Sequence, residues 1–65
     1  MIEITHLDGS SGIVNVDLIE RIERTPDTLI VMANGNQLIV RETPEELVER
    51  TRVFKRAVFN ERAVR

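Results

Sequence analysis

His6, Asp8, Ser10 and Ser11 are the residue types of a hydrolase triad, and they lie close together near the start of the chain. A working triad needs a base held in one geometry and fixed donors for the developing oxyanion. A hairpin loop containing Gly9 and Gly12 supplies neither. His6, the only histidine, therefore reads as a packed or surface strand residue. The two glycines do not make a phosphate loop, because no lysine-serine pair and no strand-to-helix junction follows them. Asp17 with Glu20, or Glu45 with Glu46, would be the carboxylate pairs available for acid–base work. Helix capping accounts for the second pair, and the first reads as surface charge. The chain has no cysteine, which removes thiolate zinc sites and disulfides. A single histidine cannot build a histidine-rich metal centre. No enzyme activity and no cofactor are expected.

The elements that would carry these residues can be read from periodicity. Ile2-Glu3-Ile4-Thr5-His6-Leu7 alternates with the two-residue period of a half-buried strand. Asp8 to Gly12 is a polar connection of four or five residues, and Ile13-Val14-Asn15-Val16 resumes a β-branched strand. Asp17-Leu18-Ile19-Glu20 is too short for an independent helix and reads as one turn or a strand crossing, with Asp17 as its cap. Arg21-Ile22-Glu23-Arg24 alternates into a Thr25-Pro26-Asp27-Thr28 turn. Leu29-Ile30-Val31-Met32 and Leu38-Ile39-Val40 flank Asn34-Gly35, a strong hairpin signal. Thr43-Pro44-Glu45-Glu46 opens a helix with a capping box and proline at its first position. Leu47, Thr51, Phe54 and Val58 then form one stripe, widened on one flank by Val48.

The expected fold is α+β: a small antiparallel β-sheet of about five strands in hairpins over residues 1–41, followed by one C-terminal amphipathic helix over 43–60. Residues 61–65 would be a tail that frays or extends the helix. At 65 residues this is one domain, which buries only about 60% of the surface its unfolded chain exposes.

A two-residue type I′ turn at Asn34-Gly35 would set Val31 opposite Leu38, Ile30 opposite Ile39 and Leu29 opposite Val40. Leu29, Val31, Leu38 and Val40 would then share the face under the helix. Ile30, Met32 and Ile39 would share the other face, which stays uncovered unless the Ile2/Ile4 strand folds over it within the same chain. That second face predicts a symmetric homo-oligomer, most simply a dimer, with Ile30, Met32 and Ile39 at its interface.

The net charge of −2 conceals a division. Residues 1–49 carry three arginines against ten acids, a net −7, and residues 50–65 carry six cations against Glu61, a net +5. Arg52, Lys55 and Arg56 on the basic segment, together with Asn15 (polar inside an apolar strand), are the candidate contacts with a partner. The aromatics are only Phe54 and Phe59, so the sheet offers no platform for base stacking, and nucleic acid is an unlikely partner. No apolar run approaches the roughly 20 residues needed to span a bilayer. Met1-Ile2-Glu3-Ile4 lacks the basic start of a secretory signal. A soluble cytoplasmic protein with no membrane insertion is expected.

The ordered set Asn15, Asp17-Leu18-Ile19-Glu20, Pro26-Asp27-Thr28, Asn34-Gly35 and Glu42-Thr43 resembles the FlbD/SwrD family of small bacterial flagellar proteins, over residues 1 to about 56. Leu7-Asp8-Gly9 and the Glu45-Glu46 helix start belong to the same likeness, whereas Gly12 stands where the family usually carries an aromatic or large apolar residue. The resemblance implies a non-enzymatic role in flagellar motility and swarming. It also implies support of motor power through contacts with flagellar motor or stator proteins, and a cytoplasmic position peripheral to the motor. The runner-up is a small nucleic-acid-binding regulator that resembles, in part, the β-rich LytTR type and would use the +5 segment on phosphates.

Overall fold

The computed structural model describes residues 1–64, with side chains described through Val58. The element order is β1 (Ile2–Thr5), β2 (Ser11–Val14), a 3-10 turn (Val16–Leu18), β3 (Ile19–Arg24), β4 (Thr28–Met32), β5 (Gln37–Val40) and α1 (Pro44–Val64). The expected α+β architecture of hairpins followed by one helix is present. Its five strands divide into an antiparallel pair, β1–β2, and an antiparallel sheet in the order β3-β4-β5. The two sheets meet at one bridge, His6 with Val40. Arg65 and the side chains from Phe59 onward lie outside the described residues.

The β1–β2 hairpin pairs Ile2 with Val14 and Thr5 with Ser11. β2 thus begins at Ser11, earlier than the apolar run starting at Ile13, and Asn15 has already left the strand. Asn15 instead caps the 3-10 turn, its side chain accepting the Asp17 N–H at 3.0 Å. The cap expected of Asp17 is therefore made two residues earlier. A short polar side chain with extended backbone, here φ −79° and ψ 111°, can bond a donor two residues on.

The β4–β5 hairpin departs from the expected register by one residue. Val31 pairs with Gln37, Ile30 with Leu38, Leu29 with Ile39 and Thr28 with Val40. The loop contains three residues, Ala33-Asn34-Gly35, closed by Met32 N–H to Asn36 O at 2.8 Å and Gly35 N–H to Met32 O at 2.9 Å. A type I′ turn would require positive φ at Asn34, but among the described residues only glycines have positive φ, and Gly35 sits at +93°. Asn34 keeps an ordinary backbone, and its Oδ1 accepts the Asn36 N–H at 3.0 Å. This is the three-residue hairpin solution, a type I turn followed by a left-handed glycine.

One extra loop residue turns β4 over relative to β5. The core face now carries Ile30 and Val40, both fully buried, with Thr28 and the half-buried Met32 and Leu38. Leu29, Val31, Gln37 and Ile39 share the opposite face. The grouping of Ile30, Met32 and Ile39 as one uncovered patch is therefore corrected. Ile30 is 0% exposed inside its own subunit, Met32 lies beside it, and Ile39 is 46% exposed on the other side.

α1 begins as its sequence demands. Thr43 Oγ1 accepts the Glu46 N–H at 3.1 Å, and Glu46 Oε1 accepts the Thr43 N–H at 3.0 Å, the reciprocal capping box. Leu47 is buried among Ile2, Ile4, Val14, Val16, Ile30 and Val40, with Phe54 packed against the cluster. Val48 does not widen this stripe, because it is 62% exposed. The helix continues through Val64, so that of the two expectations for the tail the structure shows extension.

Gly35→Ala should cost about 1 kcal/mol, the penalty for a side chain in the left-handed region. Nothing crowds a Cβ at Gly35, so backbone conformation alone sets the cost. A urea midpoint that is unchanged or raised would mean that the loop has a different turn.

Candidate functional site

Glu42 joins the hairpin, the second sheet and the helix. It precedes the helix cap by one residue, its residue exposure is 5%, and both carboxylate oxygens are occupied. Oε1 accepts the Thr5 N–H at 2.9 Å. Oε2 accepts the Thr5 hydroxyl at 2.8 Å and Arg50 Nη1 at 2.9 Å. Arg50 Nη1 also donates to Glu3 O at 2.7 Å. One step earlier, Arg41 N–H donates to Thr5 O at 2.8 Å. The Arg41 guanidinium reaches Leu7 O through Nε at 3.0 Å and Nη2 at 2.7 Å. The side of β1 that does not face β2 is thus completed by two arginines, one glutamate and one backbone amide in place of a partner strand.

Burial alone would raise the Glu42 carboxyl above its ordinary value of 4.5. The Thr5 backbone and hydroxyl donors, the residue's own N–H and Arg50 together outweigh that desolvation, and the net shift is downward. The residue is therefore held as a carboxylate, because every donor around it favours the charged form.

The residues of the apparent triad serve the first hairpin loop. Asp8 Oδ1 accepts the Ser10 hydroxyl at 2.7 Å and the Ser10 N–H at 2.9 Å, bonds that hold its carboxyl below the ordinary range. The His6 ring lies over Gly12, where an added Cβ would fall 2.8 Å from Nε2 and 3.1 Å from Ile4 Cδ1. His6 therefore fills the space that a larger residue at position 12 would claim.

The four candidate contact residues are held differently from one another. Asn15 caps the 3-10 turn, and Lys55 Nζ reaches Asp17 Oδ1 in that same turn at 3.2 Å, so these two share one end of the domain. Arg52 forks onto Glu49 within α1, its Nη2 lying 2.7 Å and 2.8 Å from the two oxygens. Arg56 is exposed on the next turn. Beside α1 lies an open apolar hollow lined by Met1, Ile2, Glu49, Val53 and Phe54, among others. Met1 is 59% exposed and Val53 52%. Neither residue stood out in the sequence: Val53 falls outside the stripe of Leu47, Thr51, Phe54 and Val58, and Met1 precedes the alternating run that starts at Ile2. Glu42 was legible only as part of the Glu42-Thr43 pair in the family likeness. Its partner Thr5 is 37 residues away, beyond any local signal.

A family model described as flagellar and swarming motility proteins, FlbD, matches residues 1–59 of this chain, and the chain belongs to that family. No curated protein and no solved structure matches it. The positions that carry the likeness have structural work in the fold: Asn15 and Thr43 cap, Asn34-Gly35 turns, and Glu42 ties β1 to α1. No helix among the described residues is long and apolar enough to cross a membrane.

The lowered Glu42 pKa fixes the sign of a pH effect. A carboxyl whose folded pKa lies below its unfolded value contributes stability that is complete above the unfolded value and lost as pH falls through the folded one. Unfolding midpoints should fall as the solution is acidified below about pH 4.5, the residue's ordinary value. Glu42→Gln should cost about 1–3 kcal/mol at neutral pH, the range for a broken charged hydrogen-bond set. The variant should also lose less stability than the parent over the same acid window. Equal acid sensitivity in both proteins would remove Glu42 from this role.

Proposed function

We propose that this FlbD-family protein is a non-enzymatic accessory of the bacterial flagellum, supporting motor power through contacts with flagellar motor or stator proteins. The observation that carries the proposal is the family match over residues 1–59. The use of the polar side chains supports a binding role over a chemical one. Thr5, Asp8, Asn15, Arg41, Glu42 and Arg50 are all spent on the chain's own backbone or loops. What faces outward includes a joined apolar patch beside α1, with Met1 59% and Val53 52% exposed. Such a patch is suited to protein contact when a partner covers it. The site of action would be the cytoplasmic side of the motor, with the protein peripheral to it.

The basic segment offers less to a phosphate backbone than its charge implies. Arg50 is committed to the nearly buried Glu42, and Glu49 and Asp17 stand beside Arg52 and Lys55, where a phosphate chain would meet them as repulsion. This supports the protein-contact reading over nucleic-acid binding.

Deleting the gene from its native bacterium should weaken swimming and swarming while filaments remain assembled, and re-expression should restore both. Affinity capture from that bacterium should recover motor or stator components. Normal swimming speed and torque in the deletion strain would remove the proposal.

A further inference from the structure

The solvent side of α1 carries a pattern that complements itself when reversed. Glu49, Val53 and Arg56 are spaced i, i+4 and i+7 and therefore stand in one stripe. The inward stripe is Leu47, Thr51, Phe54 and Val58, buried or half-buried throughout. The side chains of Glu49 and Arg52 are 56% and 58% exposed, Val53 is 52% exposed, and Arg56 is exposed. On a larger scale, Glu45, Glu46 and Glu49 precede Arg50, Arg52, Lys55 and Arg56 along the helix.

We propose that the solvent face of α1 docks against α1 of a second copy of this chain, antiparallel, about a two-fold axis passing beside Val53. Reversal about that axis sets Glu49 of each copy against Arg56 of the other, and Val53 against Val53. The acidic start of each helix then meets the basic continuation of its partner twice over, whereas a parallel pairing would oppose acid to acid. Charge pattern of this kind selects partner and orientation. The same contact brings apolar surface to the hollow between Met1, Val53 and Phe54, which is open among the described residues. A two-fold contact is closed, so it yields a dimer and no larger assembly. The present Glu49–Arg52 pair is no obstacle, since a surface ion pair between two half-exposed side chains is worth little. This inference is independent of the motility reading, and either can fail alone.

The test is sedimentation equilibrium of the full chain over a concentration series, at low and raised salt, for four proteins: wild type, Glu49→Arg, Arg56→Glu and the double swap. Wild type should show a dimer that weakens with salt. Each single swap opposes like charges at both symmetry-related contacts and should raise the dissociation constant by about tenfold or more. The double swap restores opposite charges and should return the constant to near the wild-type value. Circular dichroism should show the same helix content in all four, because the substituted side chains are exposed. A wild-type chain that stays monomeric throughout would overturn the proposal. So would a dimer indifferent to the single swaps, or one that the double swap fails to restore.

Discussion

The backbone on the outer side of β1 must be satisfied, and much of the molecule is arranged around how that is done. β1 is four residues long and paired with a strand of the same length. A two-stranded ribbon of this size is marginal in water by itself. Its second edge cannot be left bare beside a core, since a buried unpaired backbone group costs about as much as a lost hydrogen bond. β5 reaches it only at the His6–Val40 bridge. Beyond that point Arg41, Glu42 and Arg50 continue the ladder with side chains. The glutamate is well placed for this because its two oxygens can receive an amide, a hydroxyl and a guanidinium together. Packing follows from the same bonds: with β1 held to the helix start, Ile2 and Ile4 are brought over Leu47, and the two sheets share one core.

This explains which parts of the structure were legible from the chain alone. The helix start was fully readable because its determinants are local: Thr43, Pro44 and Glu46 act within one turn, and Leu47, Thr51, Phe54 and Val58 declare their face by spacing. The hairpins were readable as hairpins. The β4–β5 register was not, because Asn34-Gly35 serves either a two-residue loop with both residues at positive φ or a three-residue loop with only the glycine there. Hydrophobic pattern could not arbitrate, since Leu29, Ile30, Val31 and Met32 are apolar without interruption. Either face of β4 could have turned inward, and a single loop residue decided it. Glu42 was hidden for a different reason. A carboxylate before a helix cap has many possible uses, and the donors that select this one come from β1 and from two turns into α1.

The clamp also divides the helix. Its first half is tied to the body by the capping box, by buried Leu47 and by the Arg50–Glu42 contact, where Glu42 is almost fully withdrawn from water. Further along, the link between Lys55 and Asp17 joins side chains that are 53% and 73% exposed, a pair that salt screens and that contributes little. Local stability therefore falls along α1. Contacts made by the exposed face around Lys55 and Arg56 can form or break without disturbing the packing around Leu47, so this part of the helix has less to lose by engaging another molecule than the part tied down by Arg50.

A domain this small cannot hide all its apolar surface, and where the remainder lies bears on function. On the sheets, Ile13 and Ile39 stand out singly, which is common on soluble proteins. Along α1, Val53 adjoins Met1 and the edge of Phe54, so the exposed area is contiguous and concave. Contiguity matters more than amount, because a partner gains from excluding water over a joined patch and gains little from isolated side chains. The flanking charges then determine what can approach. Glu49 on one side of Val53 and Arg56 on the other favour a surface bearing the reverse order and penalise one of uniform sign. An anionic lipid sheet or a nucleic-acid backbone presents one sign throughout, and would meet Glu49 and Glu45 as repulsion at the same moment as Arg52 and Arg56 as attraction. A protein face of alternating charge meets no such conflict, and this is the physical ground on which the protein-contact proposal rests.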